Sequence, residues 1–337
     1  MKLGKLSPSM LSNLLGQIHI NDPRVLLGPG IGEDAALIDF GSKVLVAKTD
    51  PITFATDLIG WYAVQVNAND IACSGATPRW FLASVLLPDS ISEDKIEAIF
   101  SQLTEACEEL EVSLIGGHTE ITQDLKQPII VGCMLGETEK GKTISTSGAQ
   151  IGDSIVATKG IAIEGTTLLA QQYYAQLIGK GVSVSTLESA KTLLRSPGIS
   201  VVKDARIACS KVPINSLNDP TEGGLATGLR EIALAAAVGM KIDVDAIPVL
   251  PECTTICEAL SLDPLGLLAS GCLIATLPKQ STSELISALE HEGIEARTIG
   301  EITKADSGIV MYNSEGSNPL PDYDRDEFAR YLETQSK

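Results

Sequence analysis

No apolar run in these 337 residues approaches the roughly 20 that a membrane-spanning helix needs. The first residues, Met1-Lys2-Leu3-Gly4-Lys5-Leu6-Ser7-Pro8, lack the apolar core of a signal peptide. Basic residues are scarce, 25 against 43 acidic ones, for a net charge of −18. A surface that acidic argues against non-specific binding to nucleic acid or to an anionic membrane. It also means that a nucleotide, itself an anion, needs a metal ion or a local basic patch to bind. Lys48, Arg79 and Lys159 lie near glycine or carboxylate motifs and suit such a patch, although each alone also fits a solvated surface residue. Cysteines number seven, an odd count spread through apolar contexts. That usage fits reduced thiols in a cytoplasmic protein better than a disulfide framework. There is no repeat at solenoid spacing and no low-complexity segment.

What is present is an ordinary globular composition, 44% apolar and 20% charged. The length exceeds one compact core and predicts two domains. Around Ser145 to Asp153 the chain turns to small and polar residues, which places the boundary between 1–150 and 151–337. The spacing predicts a short helix from Ser7, the N-cap, with Pro8 at its first position. A hairpin follows, Ala35 to Ile38 and Val44 to Ala47 around a Phe40-Gly41-Ser42-Lys43 turn. A mostly apolar helix is predicted from Asp57 to Cys73, a strand from Trp80 to Leu87, and an amphipathic helix from Ser92 to Leu110 with Ile96, Ile99, Phe100 and Leu103 on one stripe. Val112 to Ile115 reads as a strand that ends in a Gly116-Gly117 turn. Helices and strands alternate through the second half, so both halves are α/β.

Two glycine patterns do not make phosphate sites. Gly136-Glu137-Thr138-Glu139-Lys140-Gly141-Lys142-Thr143 satisfies the P-loop pattern by letter. Poor helix formers follow it and two glutamates lie inside it, so it reads as an acidic hairpin turn. In Gly28-Pro29-Gly30-Ile31-Gly32 the place of a third glycine is taken by Glu33, and a strand comes next, unlike a dinucleotide fingerprint. Cys253 and Cys257, four apart, have no second pair at zinc spacing.

The carboxylates are more informative. Asp34, Asp50, Asp70 and Asp219 each adjoin a glycine, a proline or the end of a strand. Singly, each suits a cap or turn. As a set they suit Mg²⁺ shared with a phosphate chain, because Mg²⁺ takes oxygen ligands from one or two carboxylates and from substrate phosphates. His118, one of three histidines, follows the double glycine, where a backbone can approach a ligand closely. A packed or surface histidine is the other reading of that residue.

In order, Gly32-Glu33-Asp34-Ala35-Ala36, Thr49-Asp50, Asn69-Asp70-Ile71-Ala72 with Gly75-Ala76-Thr77-Pro78, Gly116-Gly117-His118-Thr119-Glu120, Gly152-Asp153 and Asn218-Asp219-Pro220-Thr221-Glu222-Gly223-Gly224-Leu225-Ala226 resemble the aminoimidazole ribonucleotide (AIR) synthase superfamily. They cover about residues 28 to 302, and the ordered set, not any single piece, carries the resemblance. Within the family, which includes selenophosphate synthetase and thiamine-monophosphate kinase, the Asp219-Pro220-Thr221 stretch is most similar to the hydrogenase maturation protein HypE. The resemblance implies a two-domain α/β (α+β) fold whose N-terminal domain pairs with that of a second subunit, a homodimer sharing a β-barrel. It implies ATP and Mg²⁺ as cofactors, and activation of a substrate oxygen by phosphorylation. By position, Asp34, Asp50, Asp70 and Asp219 would hold metal. Lys48, Thr49, Asn67, Gly117 and His118 would lie near the nucleotide, and Asp50, His118 and Asp219 would serve catalysis. A maturation partner protein is implied as well. Three departures stand out. The last cysteine is Cys272, so HypE chemistry on a cysteine in its own tail is not expected of this sequence. His118 stands where the kinase and HypE branches usually have a carboxylate, which alters the expected number of metal ions. The reactive segment of selenophosphate synthetase is not seen before Gly28. The alternatives are a small-molecule kinase of the thiamine-monophosphate type and a non-catalytic nucleotide-binding scaffold.

Overall fold

A computed structural model of the chain describes residues 8–30, 32–53 and 57–335. The Ser7 cap and Ile31 of the glycine turn lie outside the described residues. The chain divides into two compact units. The smaller comprises Ile20–Pro29 and Asp34–Thr143, and the larger the described parts of Met1–His19, Gly30–Glu33 and Ile144–Lys337. The first helix, α1 (Pro8–Leu15), groups with the larger unit.

The smaller unit is a six-stranded sheet with two helices. Its elements are β1 (Val25–Leu27), β2 (Ala36–Phe40), β3 (Lys43–Ile52), α2 (Ile59–Cys73), β4 (Thr77–Leu87), α3 (Glu93–Glu109), β5 (Ser113–Ile121) and β6 (Ile129–Glu139). The strand order is β1-β2-β3-β6-β4-β5, antiparallel throughout except for the parallel β4–β5 pair at the edge. The β2–β3 hairpin forms where alternation predicts it, with Phe40 opposite Lys43. All fifteen residues of α2 are buried, which its apolar residues on every side anticipate. Two of them bond to the neighbouring helix: Trp61 Nε1 and Gln65 Nε2 both donate to Glu109 Oε2 of α3, at 2.8 and 3.1 Å. The buried stripe of α3 is Ile99, Leu103, Ala106 and Cys107, whereas Phe100, expected on that stripe, is exposed.

Gly116-Gly117 is not a turn, because β5 runs through it to Ile121. A Cβ on Gly117 would strike the Ala83 carbonyl of β4, so the residue is small because a neighbouring strand passes there. The P-loop look-alike is the end of β6, which runs to Glu139, followed by a turn with no α-helix, but the expected hairpin does not form, because the next strand, β7, belongs to the other sheet.

The larger unit holds β7 (Asp153–Thr158), α4 (Ile163–Gln172), α5 (Tyr174–Gly179), α6 (Val184–Thr192), α7 (Val202–Lys211), β8 (Ser216–Asn218), α8 (Gly224–Ala236), β9 (Val238–Asp243), α9 (Pro251–Leu260), β10 (Ile274–Pro278), α10 (Thr282–His291), β11 (Ala296–Lys304), β12 (Ile309–Asn313), β13 (Gly316–Pro319) and α11 (Glu327–Gln335). Its sheet runs β13-β12-β9-β11-β7-β10-β8, with β12–β9 its parallel pair. Leu225, Leu229 and Ile232 of α8, spaced four and three apart, pack on Ile155, Ile242, Ile274 and Ile299 of the sheet. Every residue of β7 is buried, as befits a strand covered on both faces. The Gly152-Asp153 motif closes the strand's start structurally: Asp153 accepts Asn215 Nδ2 and the Gln150 N–H, each at 2.9 Å.

Candidate functional site

In the smaller unit the end of β3 delivers Lys48, Thr49 and Asp50 together, and α2 lies alongside. Lys48 Nζ stands 3.2 Å from Asp70 Oδ2 and 3.9 Å from Asp50 Oδ2. One ammonium is thus shared by two carboxylates on different elements. Asp70 is buried, whereas Asp50 keeps more than a third of its side chain in solvent. Asn67, one helical turn before Asp70, donates Nδ2 to the Ala63 carbonyl at 2.8 Å and to the Asp50 carbonyl at 3.3 Å. Its amide therefore ties α2 to the strand end that carries Asp50. Thr49 Oγ1 points to the next strand, donating to the Gly132 carbonyl at 2.8 Å.

Asp34 lies two residues ahead of Ala36, which pairs with Ala47, while Lys48 to Asp50 continue β3 beyond that pair. A carboxylate oxygen of Asp34 lies within 4.8 Å of the Cys73 thiol. Cys73 was not among the sequence candidates. The signal that could have found it is its spacing, three residues after Asp70 on the same helix.

Gly117 and His118 are placed elsewhere on this sheet. They sit on β5, with β4 and β6 between them and β3, about 14 Å away at the usual strand spacing. His118 is exposed, and its Nε2 is 3.2 Å from Glu120 Oε2. Hydrogen bonds from His118 and then Thr122 hold the Glu120 carboxyl below the usual carboxylate range. Asp219 belongs to the larger unit, buried at the end of β8.

A second charged group surrounds that end of the larger unit's sheet. Lys159, just after β7, is 5% exposed and adopts a left-handed φ of 59°. Its Nζ donates to the Ser200 carbonyl at 2.6 Å and pairs with Asp204 Oδ1 at 3.3 Å. Thr158 Oγ1 donates to the same carboxylate oxygen at 2.8 Å and accepts the Leu273 N–H at 3.1 Å. Cys272 is fully buried among these groups. Burial pushes its thiol up to about 12, Lys159 opposes the rise, and Asp204 and Asp219 add to it. The last cysteine of the sequence is therefore not a poised nucleophile. Cys253 and Cys257 share one face of α9 with their sulfurs 3.9 Å apart, both buried.

Chemically, Lys48 with the Asp50 and Asp70 carboxylates forms a hard-oxygen set with an excess of negative charge, whereas among the described residues Asp34 comes to metal-ligand spacing with Cys73 and not with those two carboxylates. Such a set suits a divalent cation together with a phosphate group that engages the ammonium.

Comparison with known proteins follows the same division. Residues 32–138 match the family described as AIR synthase related protein, N-terminal domain, and residues 150–313 match its C-terminal domain. A putative hydrogenase expression/formation protein of Methanocaldococcus jannaschii is 30% identical over 316 residues, 91% of each chain. The carbamoyl dehydratase HypE of Rhizobium leguminosarum bv. viciae is 28% identical, covering 87% of this chain and 83% of that one. Among solved structures, the HypE–HypF complex superposes with a TM-score of 0.77 at 20% identity, over 94% of this chain and 100% of the other. HypE in complex with ATP gives 0.73 at 23%, over 97% and 98%.

Proposed function

Because the chain belongs to the AIR synthase related proteins, matched in both domains and in order, we propose that it is a Mg²⁺-dependent, ATP-using enzyme of the HypE kind. Its reaction would phosphorylate an oxygen of a small or protein-borne substrate, directly or on the way to dehydrating it. The observation that carries the reading is Lys48 held between Asp50 and Asp70 at the end of β3. Support comes from relatives named carbamoyl dehydratase and from a HypE structure that contains ATP. A HypE structure with HypF favours a maturation partner for this chain too.

Asp34, Asp50 and Asp70 would hold the metal ion, whose contribution is to neutralise phosphate charge. Lys48 would turn from the carboxylates to a phosphate oxygen, and Asn67 would keep the Asp50 backbone fixed while it does so. In-line phosphoryl transfer asks chiefly for positioning and charge neutralisation, and these side chains can provide both. Asp219 is assigned to the same task from the larger unit. Gly117 and His118 lie on an exposed edge strand together with exposed Leu114, Ile115 and Ile121. We assign that edge to a second copy of the chain, in a homodimer.

The test is calorimetric titration of ATP with and without Mg²⁺. Metal-dependent binding is expected in the native protein, and Asp50→Asn is expected to abolish it. Unchanged affinity in the variant would remove Asp50 from the site. Phosphate release or transfer in the same samples separates an enzyme from a nucleotide-binding scaffold.

A further inference from the structure

The loop that carries Asp219 is anchored by a residue from near the other end of the larger unit. Asp326, immediately before α11, is 4% exposed. Its Oδ2 accepts the Gly223 N–H at 2.7 Å and its Oδ1 accepts the Phe328 N–H at 2.7 Å. The backbone of Leu268 donates to the same carboxylate. One buried side chain therefore gathers donors from the 218–224 loop, the 267–271 loop and the first turn of α11. The two loops are also joined directly, by the Ala269 N–H and the Thr221 carbonyl at 3.1 Å.

Gly223 and Gly224 both have positive φ, 81° and 66°, and a Cβ on Gly224 would run into the Leu265 carbonyl. With no side chains at these two positions, the loop there is held by what its backbone is bonded to. Capping α11 alone would not require such burial, since an exposed aspartate caps equally well. Burial pushes the Asp326 carboxyl up to about 7, with Glu222 adding to the rise, while the backbone donors oppose it. The fold tolerates this cost at the loop that bears a candidate metal ligand.

We infer that Asp326 is a positioning residue for Asp219, fixing the 218–224 loop so that the Asp219 carboxylate keeps one orientation. The inference rests on the proposed role of Asp219 in Mg²⁺-dependent ATP binding. Asp326→Asn preserves shape but sets an NH₂ group against one of the backbone donors.

The experiment titrates Mg²⁺ into the full-length protein with ATP, for the native chain, Asp326→Asn, Asp219→Asn and the double variant. In Asp326→Asn, the Mg²⁺ concentration that half-saturates ATP binding is expected to rise about tenfold or more, as for other residues that orient a metal ligand. Metal-free ATP affinity is expected to stay unchanged. In the Asp219→Asn background, Asp326→Asn should add nothing, which a merely structural residue would not obey. Should Asp326→Asn fail to fold, Asp326→Glu, which keeps the charge and shifts it by one methylene, should move the Mg²⁺ requirement in the same direction by less. Asp219→Asn altered and Asp326 variants unaltered would overturn this inference alone. Fully additive effects would do the same. An unaltered Asp219→Asn would overturn the role of Asp219 and this inference with it.

Discussion

At the scale of single residues, the clearest energetic statement concerns Lys159. Its ammonium and the Asp204 carboxylate are both almost fully buried, and Thr158 is the carboxylate's other side-chain partner. Removing one member of such a pair strands the other. Lys159→Met is therefore expected to cost about 3–5 kcal/mol, read as a large fall in melting temperature. A change near zero would mean that water replaces the lost ammonium. Residues differ in how readily their task can be read from the sequence. Asp50 and Asp70 were visible as candidates because they sit at the ends of elements, where an acidic side chain has no packing purpose. Asp326 was not, since two of its three donors, Gly223 and Leu268, lie 103 and 58 residues before it. The glycine pair 116–117 misled because the smallness of Gly117 answers a neighbouring strand, and nothing local distinguishes that from a ligand's approach.

At the scale of elements, α2 and β6 pack closely in the smaller unit. A Cβ on Gly132 of β6 would press on the Asn67 side chain and on the Phe81 ring. Gly132→Ala is expected to cost about 1–3 kcal/mol, the usual range for overpacking a filled core. Thermal denaturation checks the cost. Repeating it with Mg²⁺ and ATP checks whether displacing Asn67 also weakens the ligand's stabilisation. Long elements were readable from sequence: the β2–β3 hairpin by its alternation, α2 by its apolar run and α3 by its stripe. Two kinds were not. β8 and β13, with 3 and 4 residues, are too short to show a period. β5 was cut short at Ile115 because glycine normally weakens a strand, and here the parallel pairing with β4 overrides that preference.

At the scale of the whole molecule, the two-domain α/β plan was foreseeable from length, the composition change near residue 150 and the order of the motifs. The exposed edge at β5, proposed as a pairing surface, was not, because its residues look in sequence like any strand. The position of His118 on that edge now acquires a genetic meaning. If a second copy adds to β5, each nucleotide site can draw Asp50 from one chain and His118 from the other. Two variants that are each inactive, Asp50→Asn and His118→Ala, would then complement one another when mixed. Random pairing makes half of the dimers mixed, and in each of those one site of two is intact, so about a quarter of the native activity should return. No recovery from a mixture shown by sedimentation to contain exchanged dimers would mean that each chain supplies both residues to its own site. In the first case the working unit is the pair, and a harmful allele of one kind could be masked by an allele of the other.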